Sequence, residues 1–304
     1  MKRLLSVGLL LCFSFLGLNS VKAADSTTAA TTDAAATATA ATATTTTDWD
    51  SAAALARVNA IGQKLMSASK LPDGITFKVS DDESINAYAN LNKEVYVYKG
   101  LLQYVNDDNE LAAVISHELG HIINGHCAKQ TVADTALSAI TNKISSNGGT
   151  VASLGASTAQ QLASSKISRT DEFEADLTGA DLLVNAGYNP LAMVSVLNKI
   201  CGNYFDLLET HPSGEKRLLN IYDYVDYNYP QYTKTGYDSD SYQKAMAVIQ
   251  AHVSDRTSTT KKVNQFNKDQ EKLKAAKVKR EQKMAKSGSN PWEMSANVLQ
   301  MFSK

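Results

Sequence analysis

Apolar residues return at helical spacing between Trp49 and Ser69, where Leu55, Val58, Ile61, Leu65 and Met66 trace one face and predict an amphipathic helix. Two short runs then change the period. "ITFKV" at 75–79 and "EVYVY" at 94–98 are rich in β-branched and aromatic residues and predict strands. A helix-like stretch follows at 100–105. Asp107-Asp108-Asn109 then stands where a helix cap belongs, ahead of an apolar run from Leu111 to Ile123. That run predicts a buried helix fed by a small sheet. From Thr131 to Ser168 the chain is rich in Ala, Ser, Thr and Gly, and Asn147-Gly148-Gly149 divides it into two predicted helices. Further helices are expected at about 170–186 and 189–202, the second with Pro190 in its first turn. No internal repeat is visible.

The two ends of the chain break this pattern. Met1-Lys2-Arg3, an apolar run from Leu4 to Leu18 and then "SVKAAD" have the charged, apolar and small-residue parts of a secretory signal peptide, with cleavage expected after Ala23. The apolar run falls short of the roughly 20 residues a spanning helix needs. Cys12 sits inside that run behind Leu9-Leu10-Leu11, which is no lipidation signal. Residues 24–47 are almost wholly Ala and Thr, with little large apolar surface to bury, and are expected to form a disordered linker. A folded domain is expected over 48–254. Beyond it, "KKVNQFNKDQEKLKAAKVKREQKMAK" carries ten basic and three acidic residues. The 255–304 tail thus reads as a helix solvated on most faces, with contact to an anionic envelope surface or partner as the sharper alternative.

Charge narrows the function classes. Removing Lys2, Arg3 and Lys22 from the 30 basic residues leaves 27 against 31 acidic ones, a net charge of −4, which gives no global argument for nucleic-acid binding. No later segment is apolar enough to span a membrane, so an exported protein, periplasmic or associated with the cell envelope, is expected. Cys127 and Cys201 remain after cleavage. An oxidising compartment allows one disulfide between them, and two buried thiols are the competing reading.

The chain has only five histidines, and three lie in "ISHELGHIINGH", Ile115–His126. His117 and His121 are four residues apart, which brings both imidazoles within about 40° on one helix face and lets them reach one metal ion. Glu118 is offset from that face but placed to take a proton from water held by the metal. The surrounding run otherwise excludes titratable residues, and buried polar groups must be paired or coordinated. His126, five residues beyond His121 and nine beyond His117, falls near the far side of the helix and reads as structural. A catalytic zinc site needs one more protein ligand. The candidate segment is "SRTDEFEADLTGADLL", Ser168–Leu183, where Asp171, Glu172, Glu174 and Asp176 crowd together and Glu172 and Asp176 share a face. Helical geometry alone does not choose between Glu172 and Asp171. An acidic first turn complementing the helix dipole accounts equally well for Asp171 and Glu174.

With HExxH at 117–121 followed some fifty residues later by "EFEAD", the chain resembles the gluzincin zinc metallopeptidases of HtpX and the CAAX prenyl protease, in their soluble exported branch. The resemblance spans about 50–225 and includes "RVNAIGQKL", "INAYA", "VYVYKGLL", "AGYNPLAM" and "THPSGEKRL". It implies an α+β, zincin-like fold, mainly helical, with a small β-sheet beside the active-site helix. It implies one Zn2+ per chain held by His117, His121 and Glu172, with Glu118 as general base, Asp176 behind the ligands, and His211 and Arg217 near the cleft. His211 would steady the oxyanion as charge develops.

Where the family has a Pro-Gly-Gly-like turn, this chain has Asn90-Leu91-Asn92-Lys93, so the hairpin there is expected to differ in shape. The segment 131–168 replaces membrane spans with a soluble lid or helical pair. An extended polypeptide substrate is expected to add to the sheet along strand 94–98. The expected activity is hydrolysis of peptide bonds in misfolded or unfolded envelope proteins. The alternative is a chaperone-like assembly factor with a zinc site and little or regulated proteolysis.

Overall fold

A computed structural model describes residues 12–13, 49–71, 73–128, 170–201 and 214–287. In chain order the elements are β1 (Cys12–Phe13), α1 (Ser51–Ala68), β2 (Thr76–Ser80), β3 (Ala87–Ala89), β4 (Glu94–Tyr98), α2 (Lys99–Tyr104) and α3 (Asp108–Ile123). Then come α4 (170–185), α5 (Leu191–Cys201), α6 (Gly214–Asn228), α7 (Pro230–Thr235), α8 (Asp240–Thr257) and α9 (Thr260–Ser287). The fold is α+β and mainly helical, with one small sheet, as the sequence pattern and the resemblance led us to expect. No helix among the described residues is long and apolar enough to cross a membrane.

The sheet runs β1-β3-β4-β2, with β4 parallel to β2 and antiparallel to β3, while Cys12 and Phe13 pair with Ala89 and Tyr88. This corrects the expectation that a substrate adds along 94–98, because β4 is a central strand and β2 and β3 occupy both its edges. Its alternation explains the placement. Val95 and Val97 are fully buried, whereas Glu94, Tyr96 and Tyr98 are half-buried on the other face. At the β3–β4 turn the Asn90 side chain accepts from the amides of Asn92 and Glu94, and Lys93 takes a left-handed conformation at φ 63°. β3, α6, α7 and α8 were not anticipated. The two predicted helices of 131–168 lie outside the described residues.

α3 is the hub of the fold. It packs against α1, the sheet and α5, and every residue from Glu110 to Ile123 is buried. Leu111, Ile115 and Leu119 are completely enclosed, each contributing about 1.5–3 kcal/mol by burial. The start of the helix is fixed by polar contacts. Asp107 caps it by accepting from the Glu110 amide at 2.9 Å, and the fully buried Glu110 carboxylate accepts from the Asn106 amide at 2.7 Å. Glu110 also accepts from Ser195 Oγ at 2.8 Å and Lys199 Nζ at 2.5 Å, both on α5. Burying that carboxylate is tolerable because its oxygens are paired. The register of α3 against α5 is set as a result.

Candidate metal centre

Two helices meet almost backbone to backbone. A Cβ at Gly120 of α3 would lie 2.6 Å from the Ala175 carbonyl oxygen of α4, and one at Gly179 of α4 would lie 3.1 Å from the His117 amide nitrogen. Gly120 and Gly179 thus allow an approach that a larger residue at either position would obstruct. It lets the short Glu172 side chain of α4 reach the imidazoles of α3.

There His117 Nε2 and His121 Nε2 are 3.0 Å apart, and Glu172 Oε2 and Oε1 lie 3.4 and 3.3 Å from them respectively. All three side chains are buried. Asp171, the competing carboxylate on the same turn, instead lies 3.4 Å from His126 Nε2. Four ligands about 2.0–2.1 Å from a tetrahedral zinc are separated from one another by about 3.3–3.4 Å. The trio therefore has the donor chemistry and spacing of three corners of such a site.

Behind the trio, Asp176 Oδ1 is 2.8 Å from His117 Nδ1. In the neutral ring that a metal needs, that contact puts the proton on Nδ1 and turns the Nε2 lone pair toward Glu172 and His121. Arg217 of α6 donates Nε and Nη2 to Asp176 at 2.7 Å each, and its Nη1 lies 2.8 Å from Glu172 Oε2. One guanidinium therefore ties the two carboxylates of α4 to α6.

The electrostatics follow from this burial and pairing. Burial opposes charge on His117, yet hydrogen bonding and charge from Asp176, then Glu172, push its pKa up to about 10. For Glu172, burial favours the neutral acid, but the charge of Arg217, followed by that of His121, holds it well below the usual carboxylate range. Asp176 is lowered in the same way, against burial, chiefly by Arg217. An ion taking up the trio would displace the His117 proton.

Glu118 is fully buried in α3 beside His117. His126 is not on a far face. α3 ends at Ile123, Gly125 turns the chain at φ 68°, and His126 comes back against His121, Nδ1 to Nδ1 at 3.2 Å. The sequence signal was Asn124-Gly125, a helix-ending pair. The close-approach residues Gly120, Ala175 and Gly179 were also not singled out, because spacing alone does not say which helices will touch. His211 lies outside the described residues. Cys127 is buried with its sulfur 3.6 Å from the Ala89 carbonyl oxygen, and the Cys201 side chain lies outside the described residues.

The family model for Peptidase family M48 matches residues 52–225, more than half of the chain and the whole stretch that builds this centre up to α6. The chain belongs to peptidase family M48. This M48 protein is 31% identical over 191 residues to the metalloprotease LoiP of Escherichia coli K12, covering 58% of the chain and 75% of LoiP. It is 31% identical over 159 residues to the metalloprotease YcaL of the same organism, covering 50% of the chain and 62% of YcaL. Against the E. coli K12 beta-barrel assembly-enhancing protease it is 26% identical over 180 residues, which is 54% of the chain and 37% of that protein. The chain thus spans most of LoiP but little more than a third of the beta-barrel assembly-enhancing protease. Family and relatives make it a metallopeptidase, a hydrolase of peptide bonds.

Proposed function

We propose that this M48 chain is an exported zinc-dependent endopeptidase that cuts misfolded or unfolded proteins of the cell envelope. The observation that carries the proposal is the convergence of His117 Nε2, His121 Nε2 and Glu172 at 3.0–3.4 Å inside a buried site. His117, His121 and Glu172 would hold one zinc ion. When bound, zinc supplies Lewis acidity toward a water molecule and the scissile carbonyl. Glu118 accepts the proton of the attacking water and delivers it to the departing amine. Asp176 keeps His117 in the tautomer with Nε2 available, and Arg217 keeps Asp176 and Glu172 ionised and in place. His211 would donate to the developing oxyanion, a role that rests on the family resemblance. Export is supported by the leader pattern of residues 1–23, and an envelope setting by the similarity to a beta-barrel assembly-enhancing protease.

Glu118→Gln tests the reading because it removes the proton acceptor while leaving the ligands. The variant is expected to keep its zinc and to lose cleavage of an unfolded protein substrate by at least about 10²-fold, the usual lower scale for a positioned acid–base group. Cleavage at the wild-type rate in pure Glu118→Gln would overturn the mechanism.

A further inference from the structure

Among the described residues, a second cluster of metal-binding type lies against the first: His126, Asp171 and Glu174. His126 is almost completely buried, its ring meets that of His121 edge to face at 5.1 Å between centroids, and the proposed mechanism leaves it without a task. We propose that His126 is a positioning residue for the metal site, holding His121 through the Nδ1–Nδ1 contact and passing the load to Asp171 and Glu174. The proposal rests on the zinc reading above and deepens it.

Proton bookkeeping gives the direction of each bond. His121 turns Nε2 toward His117 and Glu172, so as a neutral ligand through that atom it carries its proton on Nδ1. The partner at 3.2 Å is His126 Nδ1, which must then be the acceptor. A neutral His126 with its lone pair on Nδ1 carries its proton on Nε2. That nitrogen is 3.3 Å from Glu174 Oε2 and 3.4 Å from Asp171 Oδ1, both acceptors. Every donor along this chain meets an acceptor. His121 is thereby given an outer partner as His117 is given Asp176, the arrangement that fixes ring orientation and raises ligand basicity.

The same bookkeeping weighs against a second ion at His126, Asp171 and Glu174, although their donor atoms, like those of the first trio, lie within 4.8 Å of one another. A cation on His126 Nε2 would move the ring proton to Nδ1, where it would face the proton of His121 Nδ1. Donor would oppose donor, and the contact would break. The second cluster is therefore a support for the first site and not a rival to it.

The test is zinc affinity, measured by chelator competition on the purified full chain, with thermal unfolding of each metal-free variant as a control on folding. Wild type is expected to bind one zinc. His126→Ala should bind it about 10- to 100-fold more weakly, the usual effect of losing an outer partner of a ligand. His126→Asn places an amide oxygen near the Nδ1 position, and should recover most of that loss. Asp171→Asn with Glu174→Gln, which leaves both rings in place, should weaken binding severalfold.

Wild-type affinity in His126→Ala or in the double variant overturns the inference, as does an Asn variant that folds but binds no better than Ala. A second zinc, lost together with His126, also overturns it. A wild-type chain that binds no zinc at all would instead sink the zinc reading on which it rests.

Discussion

Arg217 is the residue on which the charge balance of the metal-free site turns. It is mostly buried and touches both Glu172 and Asp176, which would otherwise be two ionised carboxylates on one helix turn in a dry interior. Arg217→Met keeps much of the volume and removes the charge. It is expected to destabilise the metal-free protein by about 3–5 kcal/mol near neutral pH, read from denaturant unfolding. The pH dependence has a definite sign. Both carboxylates have folded pKa values below their ordinary 4.5 and 3.8, so the stability they contribute with Arg217 is present above those values and is lost as pH falls through the folded ones. The gap between wild type and variant should be full above about pH 5 and narrow in acid. A gap that stays constant as the pH falls would show that Arg217 acts through packing alone.

At the scale of elements, the separation of α3 from α4 decides whether a site exists. Gly120→Ala would drive a methyl group to 2.6 Å from the Ala175 carbonyl, and backbone cannot yield as a flexible side chain can. The variant should lose about 1–3 kcal/mol of stability from overpacking and bind zinc more weakly because Glu172 is pushed back. Unchanged zinc affinity in Gly120→Ala would show that the helices can part without moving the carboxylate.

The same contrast between local and nonlocal information separates what was legible in the sequence from what was not. α1, α3 and the helices at 170–185 and Leu191–Cys201 announced themselves by apolar spacing, by the cap at Asp107 and by Pro190 at a helix start, all of which act within a few residues. β3 is three residues long, too short to show a period, and it takes its identity from pairing with β4. α6 carries three tyrosines among its charges and α8 mixes small, polar and charged residues, and their buried faces appear only once α5 is packed between them. The HExxH pair and the "EFEAD" segment were legible as candidate chemistry because residue type and spacing carry that signal. The return of His126 was hidden by treating a helix as continuous through Gly125.

Over the whole molecule, the basic C-terminal helix is exposed on most of its faces, as its composition leads us to expect, and docks along one. Lys277 of α9 reaches Asp181 of α4 at 2.7 Å, and the same carboxylate accepts from Tyr224 at 2.8 Å and Tyr229 at 2.6 Å. Gln270 is buried, Leu273 packs partly into the core, and Tyr227 donates to Glu271 at 2.7 Å. One face of α9 is therefore docked on the catalytic domain, at the far end of the helix that carries Glu172. Deleting residues 260–304 should lower the melting temperature by several degrees, since about 1 kcal/mol corresponds to 2–4 °C in a domain of this size. An unchanged melting temperature would return the tail to the status of a solvated appendage.

The central claim is that two imidazoles and the Glu172 carboxylate share one zinc ion. X-ray absorption at the zinc edge of the purified chain tests it most directly, compared with Glu172→Ala. We expect one zinc surrounded by nitrogen and oxygen at about 2.0–2.1 Å, and loss of that zinc in the variant. Sulfur at about 2.3 Å, or an unaltered zinc environment in Glu172→Ala, would contradict the account.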